Sequence, residues 1–181
     1  MDVLNIDGLL DALAAREPAP GSGSAAALVG AIAAALCAKV ARFSDDEGAV
    51  AQAEALRRRL AVLAREDAEA FVVALRSLDE PRDADPETRD WKLGRSLAAA
   101  ADPPLRIAEA CADVAALGAD LARRGKADLQ VDAHNAATLA EAAARTAAKL
   151  VEVNLGATPD DSRVREAYRS AEAAAAAAGG G

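Results

Sequence analysis

Apolar residues along the chain recur at intervals of three and four positions, the spacing that places side chains on one face of an α-helix. Proline, glycine and short polar clusters interrupt this pattern and mark helix ends. The pattern predicts seven helices, at about residues 3–15, 24–43, 47–78, 87–101, 103–125, 132–155 and 160–178. We therefore expect an all-α fold, an antiparallel or orthogonal helical bundle with long central helices.

The breaks between these helices have clear chemical causes. Two prolines and two glycines within residues 17–23 prevent the first helix from continuing, and Ser24 is then predicted as the N-cap of the second. Residues 44–46 are Ser-Asp-Asp, which end the second helix and cap the third. Two prolines with alternating charge predict a loop at 79–86, and Pro103-Pro104 starts the fifth helix.

Alanine dominates the composition, with 53 of the 181 residues, and there are only four aromatic side chains. Alanine favours helices over strands, which excludes β-sandwiches and barrels. We expect one domain over residues 1–170, followed by a low-complexity Ala/Gly tail at 171–181 that frays from about residue 173. Alanine buries little area per residue, so we expect the helices to share an interface in a homodimer.

Net charge and cysteine content indicate which kinds of partner and which cellular compartment to expect. The net charge of −8 argues against nucleic-acid binding, and residues 1–16 have no basic run typical of a signal peptide. The most apolar stretch, residues 25–40, is short for a bilayer span, so no membrane association is expected. Cys37 and Cys111 stand alone, which favours buried thiols in a reducing cytoplasm over a structural disulfide.

Asp67 departs from the pattern of the third helix. The positions that face its neighbours carry leucine and alanine except at 67, where a carboxylate stands in the apolar row. A carboxylate there is costly unless it is paired or used, and burial raises its pKa toward the range of acid–base chemistry. The alternative is a structural aspartate paired with an arginine, for which Arg42 is the candidate.

The segment from Pro18 to Ser24 reads Pro-Ala-Pro-Gly-Ser-Gly-Ser and leads into an alanine-rich helix. Its glycines allow the backbone to approach a ligand, and the first N–H groups of the helix form a site for an anion or a carbonyl oxygen. A tight turn between helices explains the same pattern. The segment is not a nucleotide-binding fingerprint, because no strand precedes it.

No metal site is expected. Asp132 is most simply an N-cap of the sixth helix, and His134, the only histidine, lacks ligand partners four residues away.

Five segments together resemble the cyclodeaminase/cyclohydrolase family, which includes the C-terminal domain of formiminotransferase-cyclodeaminase and stand-alone methenyltetrahydrofolate cyclohydrolases. PAPGSGS at 18–24 followed by ARFS at 41–44 is similar to the family's PAPGGGS…ARLT. The segments DAEAF at 67–71, PLRIAE at 104–109, GKADLQVD at 125–132 and VNL at 153–155 are similar to its further motifs, in the same order.

The resemblance implies an all-helical homodimer that acts on a folate substrate without a metal or a separate cofactor. It places the catalytic carboxylate on Asp67. It implies substrate-binding roles for the loop and for three positions further along the chain: Pro20, Gly21, Ser22, Gly23, Ser24, Arg42, Asp132 and Asn154. The chain departs from the family pattern at Ser22, Val131 and Leu150, and residues 45–47 are acidic where the family has a Gly-Lys pair.

Three functions follow from the resemblance. The first is hydrolysis of 5,10-methenyltetrahydrofolate to 10-formyltetrahydrofolate, which we favour because the sequence contains no transferase domain to make the substrate of the second. The second is cyclodeamination of formimidoyltetrahydrofolate with loss of ammonia. The third is a non-catalytic helical dimer that keeps the fold as an interaction module.

Overall fold

A computed structural model describes residues 6–76, 86–156 and 160–180. Within them the chain forms α-helices and one short 3-10 helix, Ala127–Leu129, with no strand, which confirms the all-α prediction. The α-helices are α1 Ile6–Ala14, α2 Ser22–Phe43, α3 Glu47–Arg76, α4 Pro86–Ala100, α5 Asp102–Arg124, α6 Gln130–Asn154 and α7 Ser162–Gly179.

Two predicted caps are wrong. Helix α2 begins at Ser22 with Gly21 as its N-cap, so Ser24 lies inside the first turn. Helix α6 begins at Gln130, because the 3-10 helix before it carries the chain directly into the first turn, where Asp132 lies. Residues 3–5, 77–78 and 79–85, which the sequence assigns to helix ends and a loop, lie outside the described residues.

The core is formed by α2, α3, α5, α6 and α7, whose alanine faces pack against one another. A few larger side chains, among them Leu60, Leu63 and Ile107, are completely buried between the alanine layers. Small residues allow the helix backbones to approach closely. A Cβ added at Gly118 of α5 would lie 2.9 Å from the carbonyl oxygen of Ala133 on α6. Both cysteines are buried free thiols, as the sequence predicts.

The first and last helices differ in how much of their surface is buried. The segment expected to fray from residue 173 instead continues α7 to Gly179 and buries Ala174 and Ala178, because its alanine face packs on α5 and α6. Helix α1 contributes no buried side chain.

Among the described residues, α2 alone has the length and composition of a membrane span, with a mean hydropathy of 1.9 over an 18-residue window. Residues 25–40, on which the sequence-based expectation rests, are short for a bilayer span, whereas the helix that contains them extends over Ser22–Phe43. Of the window, 56% is buried inside the bundle, where α3, α5 and α6 cover the helix. Its place in the core accounts for its apolar composition.

Candidate active site

A cavity of about 370 Å³ lies where the start of α2, the middle of α3, the start of α5 and the end of α6 meet. Its volume is within the range of sites for small molecules. Its walls are mainly apolar, and among the described residues Asp67 is the one ionisable side chain that lines it. The lining residues are Pro18, Ala19, Gly21, Ser22, Gly23, Asp67, Ala68, Phe71, Ala100, Pro104, Leu150, Val153 and Asn154.

Asp67 reaches the cavity because it occupies the apolar row of α3. Its neighbours in that row, Leu60, Leu63 and Ala74, are buried, and Asp67 itself is half-buried. Burial raises the pKa of Asp67 above its ordinary value, while hydrogen bonds from the hydroxyl and the backbone N–H of Ser24 partly oppose the rise. The higher pKa predicted from the sequence is therefore confirmed in direction.

The carboxyl group of Asp67 lies against the N-terminus of α2. Gly21 provides no side-chain cap there, so the first N–H groups of the helix need an acceptor from elsewhere. A Cβ added at Gly23 would lie 2.5 Å from the Cγ of Asp67, so this contact requires glycine. Neither Gly21 nor Gly23 has a positive φ, so close approach explains Gly23 and backbone strain does not.

The arginine alternative for Asp67 is wrong. Arg42 donates to Glu54 at 2.8 Å, near the other end of α2. The polar partner of Asp67 is Ser24, whose Oγ lies 3.2 Å from Oδ2. Asp67 also has a structural role, since its carboxylate accepts a hydrogen bond from a backbone N–H at the N-terminus of α2.

Most of the predicted loop residues meet at the cavity. Gly21, Ser22 and Gly23 line it, and Ser24 is outside the lining but contacts Asp67. Pro20 lines an adjoining shallow groove along α3 that also includes Ala19 and Ala68.

Asn154 comes to the same cavity from the last turn of α6. Its amide Nδ2 donates to the carbonyl oxygen of Ala100 at 2.8 Å, which joins the ends of α6 and α4. This bond fixes the orientation of the side-chain amide, whose oxygen is a hydrogen-bond acceptor. Asn154 is thus placed with Asp67 although 87 positions separate them in the sequence.

Arg42 and Asp132 lie elsewhere. Arg42 follows Ser24 by 18 positions on α2, about 27 Å along a helix, and Asp132 precedes Asn154 by 22 positions on α6, about 33 Å. Asp132 forms an ion pair with Lys39 at 2.6 Å. The structure does not bring these two residues to the cavity of the same chain, and their binding roles stay predictions.

The sequence did not single out the apolar wall of the cavity. Leu150 and Val153 lie four and one positions before Asn154 on α6, and Pro104 lies in the first turn of α5. Helical spacing from Asn154 identifies Leu150 as a neighbour on the same face, so that signal was available. Within the described residues, no three His, Cys, Asp or Glu side chains are grouped so that they could hold a metal ion.

Comparison with known proteins identifies a family and two relatives that this chain resembles. Residues 5–173 match the formiminotransferase-cyclodeaminase family. A methenyltetrahydrofolate cyclohydrolase from Methylorubrum extorquens is 32% identical over 187 aligned residues, covering 96% of this chain and 90% of that protein. The crystal structure of a formiminotetrahydrofolate cyclodeaminase from Thermotoga maritima superposes with a TM-score of 0.82 at 28% identity, covering 98% of this chain and 91% of the other.

Proposed function

The chain belongs to the formiminotransferase-cyclodeaminase family, and from that premise we propose that it is an enzyme that hydrolyses 5,10-methenyltetrahydrofolate to 10-formyltetrahydrofolate. The similarity to the cyclohydrolase from Methylorubrum extorquens over nearly the whole chain supports this reaction. The observation that carries the proposal is Asp67, a half-buried carboxyl group with a raised pKa in an otherwise uncharged cavity.

The reaction needs a group that first accepts and then donates a proton. The substrate has a cationic bridge in which one carbon joins N5 and N10. Ionised Asp67 takes a proton from water as the water oxygen bonds to that carbon, giving a neutral carbinol. Protonated Asp67 then gives its proton to N5 as the bond from N5 to the carbon breaks. The carbinol proton passes to solvent, and the formyl group remains on N10.

The cavity suits a cationic centre. No lysine or arginine is among the described residues that line it, and the carboxylate of Asp67 attracts the positive bridge more strongly where water is partly excluded. The apolar faces of Phe71, Leu150 and Val153 can contact a flat ring, and the side-chain oxygen of Asn154 can accept from a ring N–H. The anionic glutamate tail of a folate would then lie outside the cavity.

Cyclodeamination of formimidoyltetrahydrofolate is the second candidate, favoured by the similarity to the cyclodeaminase from Thermotoga maritima. In that reaction N5 carries the formimidoyl group, N10 bonds to its carbon, and ammonia leaves. Protonated Asp67 would supply a proton to the departing nitrogen. The same cavity and the same carboxyl group serve both reactions, because each passes through a carbon bonded to two folate nitrogens.

We further propose that the protein works as a cytoplasmic homodimer without a metal or a separate cofactor. A homodimer would allow the predicted substrate-binding roles of Arg42 and Asp132. Neither residue reaches the cavity of its own chain, and in a homodimer they could contact substrate bound in the cavity of the second copy.

One spectroscopic experiment tests these functions together. Methenyltetrahydrofolate absorbs in the near ultraviolet, and its hydrolysis product does not. Purified protein should accelerate the loss of absorbance from methenyltetrahydrofolate if it is a cyclohydrolase. A gain of absorbance from formimidoyltetrahydrofolate, with no accelerated hydrolysis, would support the cyclodeaminase. Failure of both assays with a folded protein would favour the non-catalytic dimer.

A further inference from the structure

Ser24 stands between Asp67 and the backbone of α3. Its side chain is 2% exposed, on the first turn of α2, and it does not line the cavity. Its Oγ lies 2.8 Å from the carbonyl oxygen of Ala64 and 3.2 Å from Oδ2 of Asp67. The hydroxyl therefore contacts the carboxyl group of Asp67 without being part of the cavity lining.

A serine hydroxyl has one proton and cannot donate to both oxygens at once. The carbonyl oxygen of Ala64 only accepts, so a bond to it always takes the Ser24 proton. Oδ2 of Asp67 accepts when the carboxyl group is ionised, and it can donate when the group is protonated. Which bond the hydroxyl makes is thus determined by the proton on Asp67.

We propose that Ser24 is a positioning residue whose hydroxyl turns between two acceptors, donating to Asp67 when the carboxylate is the base and to Ala64 when Asp67 carries the proton. In the second state the O–H of Asp67 donates to the Ser24 oxygen. This role rests on the proposed function, since it matters for a carboxyl group that must be used in both states. It also replaces substrate contact as the role expected for Ser24.

The surroundings leave this task to Ser24. Among the described residues that line the cavity, none besides Asp67 carries a charge: α2 contributes Ser22, α5 contributes Pro104 and α6 contributes Asn154. Ser24 of α2 is the hydrogen-bond partner of Asp67. Glu66, the acidic neighbour of Asp67 on α3, pairs with Arg106 at 2.6 Å. The carbonyl of Ala64 keeps its bond within α3 when the hydroxyl turns away, so neither state leaves a buried group unpaired.

The test is a pH titration of the Asp67 carboxyl carbon by ¹³C NMR in the wild type and in Ser24→Ala, together with the pH profile of hydrolysis. The bond from Ser24 lowers the pKa of Asp67, so its loss should move the titration upward by about one pH unit. The acidic limb of kcat should move with it. The variant should also lose about tenfold in kcat at high pH, with little change in KM, because the base is no longer held.

Two further variants make the result specific. Ser24→Thr keeps a hydroxyl and should return the titration toward the wild-type value. Ser170→Ala is the matched control, because Ser170 donates to the carbonyl of Glu166 on α7, a helix that contributes no described residue to the cavity lining. If Ser24→Ala does not fold, Ser24→Cys keeps the size with a much weaker donor and takes its place.

An unchanged Asp67 titration in Ser24→Ala, or a shift equalled by Ser170→Ala, would overturn the proposal. A threonine variant that titrates like the alanine variant would also count against it. If the wild type hydrolyses no methenyltetrahydrofolate while the titration still shifts as expected, the proposed function fails and the hydroxyl switch stands.

Discussion

Two effects of opposite sign act on the pKa of Asp67. Burial raises its pKa, while the Ser24 bonds lower it, and burial is the larger effect. A carboxyl group whose pKa is raised in the folded state stabilises the fold fully only below the unfolded pKa, about 3.9. That contribution is lost as the pH rises through the folded pKa. At neutral pH, where the carboxyl group of the unfolded chain is ionised, Asp67 therefore has a cost in stability that a neutral side chain avoids.

We expect Asp67→Asn to lose activity by about 10²- to 10⁴-fold, the usual contribution of a general acid–base group, and to unfold at a higher temperature than the wild type at pH 7. The difference in unfolding midpoint should shrink below about pH 4, where the wild-type carboxyl group is protonated. Steady-state kinetics and calorimetry at both pH values measure the two effects. If Asp67 serves only as an acceptor for the end of α2, the variant should keep its activity and be no more stable than the wild type.

Gly23 is expected to be far less tolerant than Gly21, two positions before it. A methyl group at Gly23 collides with the carboxyl group of Asp67, whereas at Gly21 the nearest atom, the Pro18 carbonyl oxygen, is 3.9 Å away. Gly23→Ala should cost about 1–3 kcal/mol of unfolding free energy. Gly21→Ala should cost less, about 0.5–1 kcal/mol, because it meets no collision and loses only the better N-cap of α2. Urea denaturation measures both.

The collision at Gly23 can be traced to its partner. In Gly23→Ala combined with Asp67→Ala, the added methyl group takes space that the carboxyl group has left, so the two costs should not add. Additive costs, or equal costs at Gly21 and Gly23, would show that the contact is not the reason for glycine.

At the scale of the helix, α5 and α6 depend on Gly118 for their close approach. A Cβ there would lie 2.9 Å from the carbonyl oxygen of Ala133 and 3.0 Å from the backbone nitrogen of Ala137. Backbone atoms cannot turn aside as a flexible side chain can, so Gly118→Ala must push the two helices apart. We expect a loss of about 1–3 kcal/mol in the free energy of unfolding.

Gly94 of α4 is the matched control for Gly118. A Cβ there meets nothing within 4 Å, so alanine adds helix propensity without a collision. Gly94→Ala should stabilise the protein by roughly 0.4–1 kcal/mol. The two substitutions are chemically identical and should have opposite signs in chemical denaturation. A neutral Gly118→Ala would mean that the helices have room to spare.

At the scale of the whole molecule, apolar surface remains uncovered. Helix α1 buries no side chain, and Ile32 on the core helix α2 is 58% exposed. Exposed apolar surface of this kind is typical of protein interfaces. We expect a homodimer in sedimentation velocity at micromolar concentration, with an unfolding temperature that rises with protein concentration. A stable folded monomer with a concentration-independent unfolding temperature would contradict this prediction.

Local chemistry was sufficient to predict the helices. Alanine content, periodicity and the breaks at proline and glycine act within a few residues, and the order and approximate bounds of the helices follow from them. The caps were less predictable, because Ser24 and Asp132 have side chains that suit a cap but bind partners on other helices. When a side chain can bond either to its own helix end or to a neighbouring helix, the tertiary fold determines which partner it has.

The candidate site was predictable only in part. Asp67 was found because one carboxylate in a row of leucine and alanine is visible in the sequence alone. Ser24 contacts Asp67 and Asn154 lines the same cavity, whereas Arg42 and Asp132 lie elsewhere, and this depends on how α2, α3 and α6 are placed in the bundle. The sequence by itself therefore determined the helices and the unusual carboxylate, since both are expressed within one helix. Only the tertiary structure decided which distant residues share its cavity, because contacts between helices depend on packing rather than on separation along the chain.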